Sequence, residues 1–125
     1  MGGRGAASGI VNRLPNYKNA EIPQRKLGNY LLHPTKSKGK SDFFNSIGYN
    51  MKNAERLEKD IRKGLESNKA LSYNENKYGN RAYEVDMPLG INKKVTVKTA
   101  WQIDKGENVP KFVSAYPKEK KRGKQ

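Results

Sequence analysis

The sequence predicts an α+β fold, with N-terminal helices packed on one face of a C-terminal antiparallel β-sheet. Three observations carry this. Ala54, Leu57, Ile61 and Leu65 recur every three or four residues, the period of a helix with one apolar stripe. From Ala70 onward the period changes to two. The helical segments all precede the strand segments, as expected when helices lie against one side of a sheet instead of alternating with its strands. The 125 residues leave room for one domain with one modest core. The boundaries expected are a disordered Gly-rich leader over 1–21, a single domain over 22–117 and a disordered basic tail over 118–125.

Each element has a local reason. The leader begins MGGRGAASG, too small and Gly-rich to favour a helix or strand by itself. Leu27, Tyr30 and Leu31 have i, i+3, i+4 spacing, which predicts a short helix after Pro23 that stops before Pro34. A cationic loop, TKSKGK, occupies 35–40. Ser41 is the expected N-cap of the next helix, with Asp42 in its first turn, Phe43, Phe44 and Ile47 as core anchors, and Gly48 at its end. Asn53 is the expected cap of the helix over about 54–67, whose Glu55–Lys59 and Glu58–Arg62 pairs are i, i+4 neighbours, and Asn68 ends it. Tyr83, Val85 and Met87 share one strand face, and Pro88 with Gly90 predicts a turn. Val95, Val97, Thr99, Trp101 and Ile103 share a face of the next strand, while Thr96, Lys98, Ala100 and Gln102 share the other. DKGEN at 104–108 is a turn, and 112–116 a further strand.

Charge points to a polyanionic partner. Twenty-six Lys and Arg against 12 Asp and Glu give a net charge of +14. Such a surface attracts nucleic acid, whose phosphates carry most non-specific affinity. Residues 51–75 are nearly balanced, with six basic and five acidic side chains, so the excess lies elsewhere. No membrane partner is expected, because there is no long apolar segment, no apolar signal-peptide core and no strongly amphipathic basic helix.

Composition narrows the chemistry. The chain has no Cys and one His, so a disulfide framework, a thiolate nucleophile and a His- or Cys-rich metal site are excluded. The acids concentrate in the 55–66 helix, where charge pairing explains them, and no metal or other cofactor is expected. Metal-free cleavage of RNA stays open as one reading, and it needs a base for the 2′-hydroxyl, a donor for the leaving oxygen and charge stabilisation of the phosphorane. His33 is the one imidazole, the side-chain type that exchanges protons near neutral pH. It stands just before the lysine loop, whose cations could hold phosphate. Lys36, Lys38, Lys40, Lys98 and Lys111 are candidate nucleic-acid contacts, and Trp101 and Tyr116, if exposed, could stack on bases. Each also has a plainer reading: solvated lysines, a loop histidine, ordinary strand residues and core aromatics.

A family resemblance adds to this. In order, KLGNYLLHP, KGKSDFFNSIGY, YGNRAYEV, VKTAWQI and VPKFVSAYP, over 26–49 and 79–117, resemble an uncharacterised domain family of phage head-region proteins and polymorphic-toxin C-termini. Ser114-Ala115-Tyr116-Pro117 is more distantly similar to the terminal strand of the barnase–EndoU superfamily of metal-independent ribonucleases. The resemblance implies a candidate endoribonuclease, and so RNA over DNA as the nucleic-acid partner, with His33, Lys38, Lys40, Thr99, Ser114 and Tyr116 as catalytic candidates. It also implies an immunity protein or a phage head protein as a further partner, and a bacterial cytoplasmic or virion-associated location. EndoU-type members use two histidines, and this chain has one. Two rivals stand beside it: a non-catalytic basic phage protein that binds nucleic acid or a head component, and a purely structural interaction domain.

Overall fold

The computed structural model describes residues 7–33, 40–73 and 75–118. The fold is α+β: one short strand comes first, then the helices, then four strands that complete an antiparallel sheet. Strands β1 (Ala7–Val11), β2 (Ala70–Tyr73), β3 (Arg81–Leu89), β4 (Val95–Ile103) and β5 (Lys111–Pro117) form one five-stranded sheet in sequence order, each antiparallel to the next. No helix among the described residues is long and apolar enough to cross a membrane.

The expected disordered leader over 1–21 is corrected from residue 7 onward. Pairing of β1 with β2 is a backbone interaction, so small side chains do not prevent it once β2 offers an edge. Leu14 and Ala20 then bury in the core. Arg62 Nη1 donates to the Ala20 carbonyl at 2.9 Å, and Arg13 Nε to the Glu66 carbonyl at 2.7 Å. The segment ends at the opposite sheet edge, where Glu21 N donates to the Pro110 carbonyl and Phe112 N to the Glu21 carbonyl, each at 2.9 Å. Residues 1–6 of the expected leader and 119–125 of the expected tail lie outside the described residues.

The helical layer follows its apolar spacing. Helix α1 (Gln24–Lys26) runs into a π turn at Leu27–Leu31, where Leu32 N donates to the Leu27 carbonyl at 2.8 Å and Leu27 and Leu31 are buried. Helix α2 (Lys40–Ser46) starts one residue before the expected cap, so Ser41 lies buried in its first turn. Helix α3 (Ala54–Ser67) buries Ala54, Leu57, Ile61 and Leu65 against the sheet. Asn53 stands at its N-terminus but does not cap it. Its side chain instead accepts from Asn50 N at 2.8 Å and donates to the Gly48 carbonyl at 3.0 Å, closing the preceding turn.

Buried Tyr49 ties the layers together. Its hydroxyl donates to Asp60 Oδ2 of α3 at 2.6 Å and accepts from Gly90 N of the β3–β4 turn at 2.9 Å. Burial, and next the Asp60 carboxylate, push this hydroxyl well above the ordinary tyrosine range, so it stays a donor.

Pro88 does not make the expected turn; it lies within β3, paired with Thr96. Strand β2 begins, at Ala70, alongside Val85 and does not extend past it to Pro88, so the missing N–H of Pro88 costs no ladder bond on that side. The turn falls after Gly90, whose φ of 143° disfavours any side chain and whose added Cβ would overlap the Lys93 carbonyl. Gly90→Ala is expected to destabilise the fold by about 2–3 kcal/mol. Urea unfolding checks this; a loss below about 0.5 kcal/mol would refute it.

Candidate functional site

The two faces of the sheet differ in chemistry. Val85, Met87, Val97, Thr99, Trp101 and Ile103 face the helices and are buried. Alternation puts Glu84 and Asp86 of β3, and Lys98 and Ala100 of β4, on the opposite, more open face.

A bulge sets what β5 adds there. Ala100 pairs with Ser114, but its neighbour Trp101 pairs with Phe112, leaving Val113 as the extra residue. Phe112 and Ala115 therefore both point into the core, and Ser114 and Tyr116 both point to the open face. Without the bulge, Phe112, Ser114 and Tyr116 would share one side.

The open face holds a compact polar cluster. Lys98 Nζ contacts Glu84 Oε1 at 3.1 Å and Asp86 Oδ1 at 3.2 Å. Lys118 Nζ reaches Asp86 Oδ2 at 2.7 Å, and the Tyr73 hydroxyl donates to Glu84 Oε1 at 2.7 Å. Tyr116 pairs with Lys98 across the ladder. An open cavity of about 230 Å³, lined by Lys69, Leu71, Glu84, Asp86 and Lys98, lies on one side. Another of about 500 Å³ is bounded by Lys98, Tyr116, Pro117 and Lys118. Lys98 is common to both.

The electrostatics favour donors and a held carboxylate. Burial, and then the Glu84 carboxylate, push the Tyr73 hydroxyl up to about 12. The same two causes, in the same order, raise Tyr116. Both phenols thus keep their protons at neutral pH. Burial alone would raise Asp86, but hydrogen bonds from Lys118 and Lys98 outweigh it and hold the carboxyl below its ordinary 3.8. Burial alone would lower Lys98, but Glu84 and Asp86 outweigh it and raise the ammonium above its ordinary 10.5.

These shifts fix a sign. A depressed carboxyl stabilises the fold above its unfolded value and loses that contribution as pH falls through the folded one. A raised ammonium stabilises below its unfolded value and loses that contribution as pH rises through the folded one. The network is therefore expected to contribute evenly across neutral pH. Its contribution falls in acid below 3.8 as Asp86 protonates, and in alkali above 10.5 as Lys98 deprotonates. Melting temperatures from pH 2 to 7 check the acid limb, which Asp86→Asn should flatten; an unchanged limb in that variant would count against the network.

The residues singled out in the sequence divide. Lys40 and Ser114 do meet: Lys40 Nζ, at the start of α2, donates to Ser114 Oγ at 3.1 Å. Lys98 and Tyr116 are neighbours on the open face. Thr99 is corrected as a site residue. It is fully buried, its hydroxyl donates to the Val85 carbonyl at 2.8 Å, and it accepts from Trp101 Nε1 at 2.8 Å, so no hydrogen remains for a phosphate. Trp101 is corrected as a base-stacking residue. It is 1% exposed and packs edge-on against Phe112, with ring centroids 5.4 Å apart. Lys111 is held by Asp104 at 2.9 Å and Glu107 at 3.5 Å, so its charge is largely answered within the protein. His33 lies half-buried just after the π turn. Lys36 and Lys38 lie outside the described residues.

Sequence reasoning missed Glu84, Asp86 and Tyr73. A signal for the first two was present. Tyr83, Val85 and Met87 share one face of the strand, which leaves Glu84 and Asp86 together on the other, i and i+2. Tyr73 comes in only through the β2–β3 pairing of Leu71 with Glu84. Among the described residues no three His, Asp or Glu side chains gather closely enough to hold a metal ion.

A family described as a domain of unknown function, DUF6883, matches residues 13–119, and the chain belongs to that family. No curated protein and no solved structure matches it significantly.

Proposed function

We propose that this DUF6883 domain binds RNA on the open face of its sheet and cleaves phosphodiesters there without a metal. The observation that carries the reading is the Tyr73–Glu84–Lys98–Asp86 cluster, bordered by Tyr116 and the Lys40–Ser114 pair. In the reaction, the 2′-oxygen attacks the adjacent phosphorus and its proton passes to the Glu84 carboxylate. Lys98 stabilises the added negative charge of the phosphorane, and Tyr116 and Ser114 donate hydrogen bonds to phosphoryl oxygen. The bond from phosphorus to the 5′-oxygen breaks and that oxygen takes a proton from His33, assigned here by its chemistry as the one imidazole. The products are a 2′,3′-cyclic phosphate and a 5′-hydroxyl. Lys36, Lys38 and Lys40 hold flanking phosphates in this scheme.

The sequence resemblance to toxin C-termini and phage head-region proteins supports the same reading. It brings with it an immunity or head protein as partner, and a bacterial cytoplasmic or virion-associated setting.

A second reading has its own support. Around Lys98 two ammonium groups face two carboxylates, so the cluster is electrically balanced. A balanced cluster suits a binding surface whose affinity comes from lysines elsewhere on the chain. That reading expects log K to fall steeply with log salt, and no turnover.

RNA cleavage in EDTA separates the two. The first reading expects cyclic-phosphate ends from the wild-type protein and their loss in Glu84→Gln and His33→Ala. No cleavage by wild type, or equal cleavage by all three, would sink it.

A further inference from the structure

At the end of the sheet near Arg81 an aromatic ring stands out in solvent. Tyr78 is 66% exposed, the most exposed large hydrophobic side chain among the described residues. Its loop is nevertheless built to hold one shape. Asn76 Oδ1 accepts from Tyr78 N at 2.8 Å and from Asn80 N at 3.0 Å, and Asn76 N donates to the Asn80 carbonyl at 3.0 Å. Gly79 supplies the positive φ of 85° that the turn requires. The loop is also fastened to the β4–β5 turn, because Asn80 Oδ1 accepts from Lys105 N at 2.8 Å and Arg81 Nη2 donates to the Glu107 carbonyl at 3.2 Å.

Cationic side chains stand on and next to this loop. Lys77 Nζ lies 5.2 Å from the centre of the Tyr78 ring, and the Lys105 side chain runs alongside Gly79. Arg81 follows at the start of β3. Of the acids at this end, Asp104 and Glu107 both contact Lys111, and Glu75 lies in the loop itself. An exposed aromatic ring on an anchored loop, with one ammonium over it and further cationic side chains on the neighbouring backbone, matches what an unpaired base and its phosphates require.

We infer that Tyr78 is a base-stacking subsite for single-stranded nucleic acid, with Lys77 and Lys105 taking the phosphates on either side of the stacked nucleotide. This rests on the RNA reading only for its relation to the open face. Strand rise places Glu84 about 10 Å along β3 from Arg81, and Asp86 about 17 Å. A strand of RNA crossing the Glu84–Lys98 cluster would therefore meet Tyr78 a few nucleotides away, beyond the reach of a dinucleotide.

The test is fluorescence anisotropy with a labelled single-stranded RNA dodecamer at low salt, using the full chain. Tyr78→Ala is expected to weaken binding about tenfold and Tyr78→Trp to preserve it. Tyr78→Leu keeps apolar bulk without a π face and should behave as the Ala variant. Binding of an RNA duplex, whose bases already stack on each other, should not respond to Tyr78→Ala. Dodecamer affinity within twofold of wild type in Tyr78→Ala, or full affinity in Tyr78→Leu, would overturn the subsite. Because the readout is binding, absence of cleavage would refute the ribonuclease reading and leave this result standing. Cleavage by wild type with no effect of Tyr78→Ala on dodecamer binding would do the reverse.

Discussion

Glu84→Gln is expected to lower RNA cleavage in EDTA by about a hundredfold or more, the range set by losing a positioned base. The amide keeps the size of the side chain and its carbonyl can still accept from Tyr73 at the position of Oε1. It cannot take the 2′-hydroxyl proton. The loss should appear in kcat, with KM little changed, because the carboxylate acts on the reacting proton instead of holding the substrate. Lys98→Ala should also slow cleavage, but for a different reason: it removes the cation facing the phosphorane and leaves Glu84 and Asp86 without it. A Glu84→Gln variant that cleaves as fast as wild type would remove Glu84 from the mechanism.

Trp101→Ala should be the most damaging single change to the fold, costing about 3–5 kcal/mol. The ring is 1% exposed, so its removal leaves a cavity that the rigid β4–β5 ladder cannot fill. It also strips Phe112 of its edge-on partner and Thr99 of the indole N–H donor. Trp101→Phe should cost much less, since it restores a ring but not the donor. Guanidinium unfolding with the wild-type slope measures both. The same pair tests the role of the residue: a folded Trp101→Phe protein should bind single-stranded RNA as wild type does. A cost below about 1 kcal/mol for the Ala variant would contradict its place in the core.

Much of the architecture was legible because local periods report which face is buried. The α3 stripe of Ala54, Leu57, Ile61 and Leu65 and the β4 stripe of Val97, Thr99, Trp101 and Ile103 are buried as their spacing requires. The same alternation makes Thr99 and Trp101 core residues, so their proposed site roles conflicted with the strand pattern that located them. The early segment was less legible. Residues 7–21 have no strong period, and their order comes from partners far along the chain: β2, the carbonyl of Glu66 and the start of β5.

The site follows the same division. Ser114 and the lysine loop attracted notice as residue types, and Lys40 does reach Ser114 across 74 positions of sequence. Glu84 and Asp86 looked ordinary because a carboxylate gains meaning only from what opposes it. Here that is Lys98, set by the β3–β4 register.

By itself the sequence determined the α+β class, the order of the elements from α1 to β5, the apolar face of α3, β3 and β4, and a chemistry without thiols or histidine clusters. Those properties depend on residue type and on periods within one element. Only the tertiary structure decided that residues 7–21 join the domain, that Lys98 is ringed by carboxylates, and that Ser114 and Tyr116 share the open face while Phe112 does not. Register and the Val113 bulge are relations between strands, and one extra residue reverses a face without changing any local period.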